Sequence, residues 1–389
     1  MKQQLQNSSK QVNKLTIATI ALTIVAIIFA DKPKSIFSQV YIPKNSQKTI
    51  LKSVKVTLPP KGKFYHGVFP GGKTGDEDDI TIYDVKKYQY YSGKKVAWIY
   101  FSHNWVKSKK FPKRTCEWIR KIDSIPFIRL MLRSSTEEDY HEKVYTLKNI
   151  INGKFDNDLK NWGKSAATFE TPLIVEYGTE CNGEWFAWNG KHNGADTKQA
   201  FGDKNKADGP ERFVAAFRHI VNVIRNAGAT NITWVFHINA EDVPKTQWNR
   251  FENYYPGNDV VDWIGISIYG TLTPSDDDVK SFREQMDKAY DRLTKLAPDK
   301  PIVILEFGCC ANNPIIKPEI WAKNALQDIF ANRWKRVIGF SWWNERWEND
   351  DNPENDTTMR LEDIPKLAKT FHEILQINAH KIVCKPKTR

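Results

Sequence analysis

Two glutamates stand directly after short apolar runs of the chain. Glu180 follows the run from Leu173 to Tyr177, and Glu306 follows the run from Ile302 to Leu305. If both runs are strands of one parallel sheet, their carboxyl ends lie at the same edge, and the two carboxyl groups meet there. Burial and neighbouring charges can then divide such a pair into a protonated acid and an ionised nucleophile. Cleavage of a glycosidic bond needs that pair.

The elements that must position these glutamates are visible as a repeating pattern. Eight runs rich in β-branched and aromatic residues alternate with loops and amphipathic stretches. The runs are Phe64 to Phe69, Val96 to Phe101, Phe127 to Leu132, Leu173 to Tyr177, Ile232 to Phe236, Trp263 to Ile268, Ile302 to Leu305 and Val337 to Trp342. Helices are expected at Pro210 to Asn226, Val279 to Leu296 and Pro318 to Asn332. The pattern predicts an α/β fold, a (β/α)8 TIM barrel with its active site at the carboxyl ends of the strands.

The segment around Glu180 resembles a known family. The matching residues are Ile150 to Asp156, Trp162, Glu180, Asn182, Gly183, Trp185 and Trp188. They resemble family 26 of the glycoside hydrolases, the β-mannanase family, and the resemblance extends over roughly residues 64 to 375. That family belongs to a clan of retaining (β/α)8 barrels with the acid/base on strand four and the nucleophile on strand seven. The resemblance implies that Glu180 is the acid/base and Glu306 the nucleophile.

The same resemblance implies roles for three aromatic residues. Trp185 matches a sugar-contacting aromatic, Tyr269 matches the tyrosine that steadies the nucleophile, and Trp342 matches the platform beneath the cleaved sugar. This chain departs from the family on either side of Glu180. Family mannanases commonly carry histidine just before the acid, where this chain has Thr179, and Cys181 follows the acid. This change alters the hydrogen bonding of the acid, so mannan is the first candidate substrate and not the only one.

Further side chains at the predicted strand ends are expected to contact substrate. They are Asn182, Trp188, His103 and His237. For each histidine, a hydrogen-bonded structural role is the alternative. Arg129, on the third run, and Arg133, just after it, are also possible substrate contacts, but salt bridges with barrel carboxylates are favoured for both.

No metal and no cofactor are expected. The five cysteines have irregular spacing without a CxxC pair, and burial as small apolar residues is favoured over a disulfide such as Cys181 to Cys309. The acidic runs Asp76 to Asp79 and Asn349 to Asn352 lack the spacing of a calcium loop and are interpreted as solvated loops. The net charge of +12 is spread along the chain without a nucleic-acid-binding motif, so nucleic acid is not an expected partner.

The first sixty residues differ from the rest of the chain. Lysines precede an uncharged run over residues 15–30, so residues 1–30 are expected to be a signal peptide or an N-terminal membrane anchor. Residues 31–61, rich in Lys, Ser, Pro and Gln, predict a stalk. The catalytic domain is expected over residues 62–380, followed by a basic tail over 381–389. We expect a monomer that is secreted, periplasmic or on the cell surface, and that contacts the membrane only through its N-terminal segment.

Together these patterns predict a retaining endo-β-glycosidase that hydrolyses a β-linked polysaccharide. Mannan is the first candidate, and a β-glucan, a xylan or an exopolysaccharide are the alternatives. A second class of function is a carbohydrate-binding barrel with weak turnover, and a third is a structural envelope protein. Two glutamates flanked by tryptophans argue against the second and third classes.

Overall fold

A computed structural model describes residues 55–73, 77–137 and 140–386. The N-terminal hydrophobic segment and most of the expected stalk lie outside the described residues, as do the last three residues of the expected tail. Within the described ranges, no helix is long and apolar enough to span a bilayer.

Eight parallel strands form a closed barrel. They are β1 (Phe64–Phe69), β2 (Trp98–Asn104), β3 (Ile125–Met131), β4 (Leu173–Tyr177), β5 (Ile232–Asn239), β6 (Trp263–Tyr269), β7 (Ile302–Gly308) and β8 (Val337–Trp343). Each strand pairs with the next, and β1 also pairs with β8, which closes the sheet. The predicted (β/α)8 fold is confirmed.

Helices connect the strands on the outside of the barrel. They are α1 (Ile82–Ser92), α2 (Lys113–Lys121), α3 (Leu147–Ile151), α4 (Asp156–Thr168), α5 (Asp208–Asn226), α6 (Phe282–Leu296), α7 (Pro318–Phe330) and α8 (Pro365–Ile377). Single turns of 3₁₀-helix occur at Gly190–Asn193, Phe251–Tyr254, Pro353–Asn355, Leu361–Asp363 and Ala379–Lys381. Local sequence sets several ends: α1 begins after Thr81, whose side chain forms a capping box with Asp84, and ends before Gly93 at φ 68°.

Most strands continue past their apolar runs toward the carboxyl end. β2 continues to Asn104, and β5 continues to Asn239. A polar side chain interrupts the apolar pattern without interrupting the ladder of backbone hydrogen bonds, so the runs alone place these ends too early. The inward-facing residues of these extensions line the barrel mouth, and several of them carry polar side chains.

The lower half of the barrel is filled by Trp98. Its indole N–H donates to Ser341 Oγ at 2.7 Å, and its ring lies 6.2 Å from that of Trp263. Gly67 on β1 and Gly339 on β8 make room for the indole, because a Cβ at these positions would lie 1.9 Å and 2.6 Å from it. The glycines thus fit one large side chain into the closed end of the barrel.

Both ends of the barrel domain extend beyond the bounds expected from the sequence. Lys55, in the expected stalk, forms a salt bridge of 2.9 Å with Asp262, and Val56 is buried in the core. At the other end, the two-residue strand β11 (Ile382–Val383) pairs with β1, although it falls in the expected basic tail. A second two-stranded sheet joins β9 (Arg346–Trp347) to β10 (Thr357–Thr358).

Candidate active site

Glu306 reaches the inside of the barrel through an irregularity in β7. Ile266 on β6 pairs with Ile304, but the next residue, Ser267, pairs with Glu306 and not with Leu305. The extra residue acts as a bulge, and bulges re-aim side chains next to active sites. Glu306 therefore occupies the position beside Ser267 at the mouth.

Two tyrosines hold the carboxyl group of Glu306 from opposite sides. The Tyr269 hydroxyl lies 2.8 Å from Oε2, which is where the resemblance places this tyrosine. The Tyr100 hydroxyl, from β2, lies 3.1 Å from Oε1. The side chain of Glu306 is almost completely buried. These contacts fix the carboxyl group at the centre of the mouth.

Glu180 lies on a tight turn after β4. Its backbone adopts a left-handed conformation with φ 47°, two residues after Gly178 at φ 68°. Its carbonyl accepts a hydrogen bond from the Gly183 N–H at 2.7 Å, and the Trp185 indole N–H donates to its Oε2 at 2.9 Å. A glutamate in the left-handed region is uncommon, and such conformations cluster at functional sites. The half-buried Trp185 orients the carboxyl group of Glu180.

The two glutamates influence each other electrostatically. The pKa of Glu306 is raised to about 7: burial raises it most, the positive charge of Arg129 opposes that effect, and the negative charge of Glu180 adds to it. The carboxyl groups of Glu180 and Glu306 therefore share one electrostatic environment at the mouth.

Arg129, on β3, lies at the centre of this environment. Its Nε donates to Thr179 Oγ1 at 3.0 Å, and its Nη2 lies 4.0 Å from Glu306 Oε1. The guanidinium lies between the rings of Phe186 and Trp343, 5.5 Å and 5.6 Å from their centroids. The expected salt bridge to barrel carboxylates is confirmed. Arg133 donates to Asn104 Oδ1 at 2.7 Å.

The main ionic partner of Arg129 was not expected from the sequence. Glu77 forms a close ion pair with Arg129 and accepts a hydrogen bond of 2.7 Å from Ser102 Oγ. It belongs to the acidic run at 76–79 that was interpreted as a solvated loop, and that interpretation is wrong for Glu77. A carboxylate in a loop does not belong to a periodic pattern of apolar residues. The sequence therefore does not indicate that Glu77 enters the barrel mouth.

Beneath Glu306 lies a fully buried ion pair. Glu176 Oε2 lies 2.9 Å from His237 Nδ1, and His237 Nε2 lies 2.7 Å from Ser267 Oγ. Burial favours the neutral form of both groups, but the charge of each one stabilises the charged form of the other. As a result, the pKa of Glu176 lies below its usual value, and the pKa of His237 lies above its usual value. His237 thus faces the barrel interior and contacts Glu176, which matches the structural alternative.

Trp342 does not lie where the resemblance places it. Its indole is completely buried, packs 4.8 Å from the ring of Phe371 on α8, and donates to the Met359 carbonyl at 2.8 Å. The next residue, Trp343, faces inward and stacks on Phe69 at 4.0 Å. The prediction for Trp342 is wrong because successive residues of a strand point to opposite faces: Trp342 lies on the outer face of β8 and Trp343 on the inner face.

Three other expected substrate contacts are structural instead. Trp188 is buried and donates to the Thr179 carbonyl at 2.7 Å, so it supports the turn of Glu180 from behind. Asn182 is buried, with its amide donating to the Asn239 carbonyl at 2.9 Å. His103 points outward and accepts from the Trp162 indole at 3.4 Å, and burial lowers its pKa to about 4. These buried side chains position the mouth loops.

Comparison with known proteins agrees with this geometry. The family model "Glycosyl hydrolase family 26" matches residues 90–352. Endoglucanase H of Acetivibrio thermocellus is 27% identical over 291 residues, which are 74% of this chain and 29% of that protein. The β-1,3-xylanase TXYA of a Vibrio species is 30% identical over 124 residues, 32% of this chain and 22% of that protein. The chain thus spans less than a third of these two curated relatives.

A solved structure shows the same fold. The family 26 β-mannanase of Bacteroides ovatus superposes with a TM-score of 0.55 at 15% identity, over 83% of this chain and 90% of that chain. The family model itself spans well over half of the chain, including both glutamates and both tyrosines of the mouth. The chain belongs to family 26 of the glycosyl hydrolases.

Proposed function

We propose that the protein is a retaining endo-β-glycosidase that hydrolyses a β-linked polysaccharide, with Glu180 as acid/base and Glu306 as nucleophile. The observation that carries this proposal is the pair of glutamates at the ends of β4 and β7, whose carboxyl groups have different partners. Two tyrosine hydroxyls hold Glu306, and an indole N–H holds Glu180. The difference in surroundings supports a different role for each glutamate.

The mechanism needs two displacements at one carbon. In the first, the ionised Glu306 attacks the anomeric carbon while Glu180 gives its proton to the leaving oxygen, which forms a glycosyl ester on Glu306. In the second, the ionised Glu180 takes a proton from a water molecule, whose oxygen attacks the same carbon and frees Glu306. Two inversions retain the configuration of the sugar.

Trp185 sets the direction of proton transfer. Because its indole N–H donates to Glu180 Oε2, that oxygen has one lone pair engaged, and the acid form favours its proton on Oε1. We therefore propose Oε1 as the atom that protonates the leaving oxygen. Trp343, stacked on Phe69 near Arg129, offers the aromatic platform that Trp342 was expected to supply.

The substrate is a β-linked glycan, and mannan is the first candidate because the Glu180 segment resembles the mannanases most directly. The similar proteins include a β-mannanase, an endoglucanase and a β-1,3-xylanase, which supports the class of β-linked glycans more than any one sugar. Thr179 replaces the histidine of the mannanases, and its hydroxyl bonds Glu176 and Arg129. A β-glucan, a xylan or an exopolysaccharide is therefore the alternative substrate.

A substrate panel tests the proposal. Purified protein is incubated with β-mannan, glucomannan, mixed-linkage β-glucan, β-1,4-xylan and β-1,3-xylan, and new reducing ends are measured with time. Endo cleavage lowers viscosity strongly for each bond broken, whereas exo cleavage does not. Glu306→Gln is the matched control. Binding without release of reducing ends on any glycan would favour the carbohydrate-binding barrel.

We also propose that the protein is exported and monomeric. The basic and apolar N-terminal pattern supports export, with membrane contact only through residues 15–30. Cell fractionation tests the location, and mass analysis of the released protein shows whether the segment is cleaved. Light scattering of the purified protein measures its mass in solution.

A further inference from the structure

A groove on the outside of the barrel lies apart from the mouth. It runs between α5 and the segment 246–255 that follows β5, is also bordered by the loop 196–207, and has a volume of about 960 Å³. Ligand-binding clefts commonly enclose about 300–1,000 Å³. We call it the α5 groove and define it by its lining residues, which include Phe201, Pro210, Val214, Trp248 and Tyr255.

One wall of the α5 groove is an apolar side of α5 that the barrel core does not use. The core side of this helix contains Phe213, Phe217 and Ile220, which are completely buried. Val214 and Ala215 lie beside that core side, are only half-buried, and line the groove. A surface helix whose core side is already covered is expected to carry polar residues elsewhere. The half-buried apolar wall is therefore available to a ligand.

Trp248 adds a flat aromatic surface to the second wall. Its indole is half-buried and lies against Gly190, where an added Cβ would be 2.7 Å from the ring. The Asn253 amide donates to the Trp248 carbonyl at 3.0 Å, and the buried Asn249 donates to the Asn182 carbonyl at 2.9 Å. Within the described ranges, the indole N–H of Trp248 donates to no protein group. The ring is thus held in a fixed position, and its N–H is available to a ligand.

The charged side chains of the α5 groove balance each other. Three acidic and three basic residues line it, namely Asp196, Glu211, Glu252, Lys198, Lys206 and Arg218. Arg218 is already paired with Asp259 at 2.7 Å, and Glu252 is paired with Arg292 at 2.6 Å. A nucleic acid or an acidic peptide therefore meets no excess of positive charge here. The exposed amide of Gln247, which also lines the groove, suits an uncharged ligand that carries hydroxyl groups.

We propose that the α5 groove is a second binding site for an uncharged polysaccharide, with Trp248 stacked against a sugar ring. An aromatic ring offers a large apolar face to the C–H groups of a sugar, and the Trp248 N–H and the Gln247 amide bond its hydroxyl groups. This site deepens the proposed function, on which it rests for the identity of the glycan. It narrows the substrate to neutral β-glycans such as mannan, glucan and xylan, and it disfavours an acidic exopolysaccharide.

The α5 groove and the turn of Glu180 share a support. Val243 forms an isolated bridge with Gly183, and Asn249 donates to the Asn182 carbonyl. A substitution in the segment 246–255 can therefore also displace this turn. The test has to separate weaker binding in the groove from a displaced Glu180, and an aryl glycoside does so because it occupies only the mouth.

The first experiment counts the oligosaccharides bound to the full chain carrying Glu306→Gln, so that the ligand is not cleaved. Calorimetric titrations use the hexaoses of β-1,4-mannan, β-1,4-glucan, β-1,4-xylan and β-1,3-xylan. With the hexaose that binds, Trp248→Ala should bind one molecule fewer per protein. Tyr83→Ala is the matched control and should change nothing, because it removes an aromatic ring that is 67% exposed on α1, outside the groove.

The second experiment measures turnover in the chain with both glutamates intact. Trp248→Ala should raise KM for the polysaccharide by about fivefold, because one stacking contact is lost, and should leave kcat and KM for an activated aryl glycoside unchanged. If Trp248→Ala lowers kcat on the aryl glycoside or does not fold, Val214→Glu decides. It places a charge in the other wall without touching the segment 246–255, and it should give the same loss of binding.

An unchanged number of bound hexaoses in Trp248→Ala and Val214→Glu would overturn the proposal. So would a dimer, measured by light scattering, that Trp248→Ala converts to a monomer, since the groove would then be an interface between two copies. A hexaose that binds only in the groove of a protein that cleaves no glycan would refute the proposed function and leave the second site standing. Cleavage with a single bound hexaose, lost in Trp343→Ala and kept in Trp248→Ala, would do the reverse.

Discussion

The two ends of the barrel are built from different side chains. At the closed end, Trp98 fills the interior against Trp263, in space provided by Gly67 and Gly339. At the mouth, the equivalent inward positions carry charges, with Arg129 surrounded by three carboxylates. The closed end contributes apolar burial to folding, whereas the mouth keeps charged groups out of water.

We infer from this difference that the closed end mainly stabilises the fold and that the mouth mainly carries the chemistry. Charged groups at the mouth are not needed to close the sheet, and a functional role explains their presence better than packing does. Substitutions at the mouth should therefore change rates more than the free energy of unfolding, and substitutions at the closed end should do the opposite. The following predictions test that separation, in order of decreasing effect.

The largest effect is expected for Glu306→Ala. Without the nucleophile no glycosyl ester forms, so kcat should fall by about 10⁴-fold or more on every substrate. Added azide should restore turnover from the open face and give a glycosyl azide of opposite anomeric configuration. The melting temperature should stay close to that of the original protein. Measurable unassisted turnover would assign the nucleophile elsewhere.

Glu180→Ala should have a smaller and substrate-dependent effect. Loss of general acid help should slow polysaccharide cleavage by about 10²- to 10⁴-fold. An activated aryl glycoside has a leaving group that needs little protonation, so its first step should be almost unaffected. Burst kinetics on both substrates measure the difference. Equal losses on both would contradict the role of Glu180 as acid.

Trp98→Ala tests the closed end. Removing a fully buried indole should lower the free energy of unfolding by about 3–5 kcal/mol, as measured by denaturant titration. The correctly folded fraction should keep its kcat, because Trp98 touches none of the charged groups of the mouth. A large loss of kcat in the correctly folded fraction would show that the two ends of the barrel are coupled.

The smallest effects separate two adjacent tryptophans. Trp343→Ala should raise KM for polysaccharide by about tenfold or more through loss of sugar stacking. Trp342→Ala should lower the melting temperature and leave KM nearly unchanged, because the indole packs against α8. The opposite pattern would restore Trp342 as the platform. Both variants lose the same side chain, so each is the matched control of the other.

The sequence was sufficient for the barrel and for the positions of Glu180 and Glu306. Apolar runs predict strands because burial on both faces of a parallel sheet demands them. The face of Trp342 could not be predicted, since the register of β8 shifts against β7 and a shift of one residue exchanges the faces. The bulge that turns Glu306 inward also depends on how β6 pairs with β7, so it could not be predicted from the residues of β7 alone.

The charged network beneath the glutamates had a partial signal. Glu176 stands inside an apolar run, and a charge in a buried strand needs a partner. Arg129 and His237 stand in neighbouring runs, so the ion pairs were within reach of sequence reasoning. Glu77 was not, because nothing in an acidic loop indicates which carboxylate enters the barrel.

The most direct test of the account is covalent trapping of the nucleophile. The protein is treated with 2-deoxy-2-fluoro β-glycosides of mannose, glucose and xylose that carry activated leaving groups, and its peptides are analysed by mass spectrometry. The account predicts one glycosyl adduct, located on Glu306, and none in Glu306→Gln. An adduct on another residue, or release of the inverted sugar without any adduct, would contradict it.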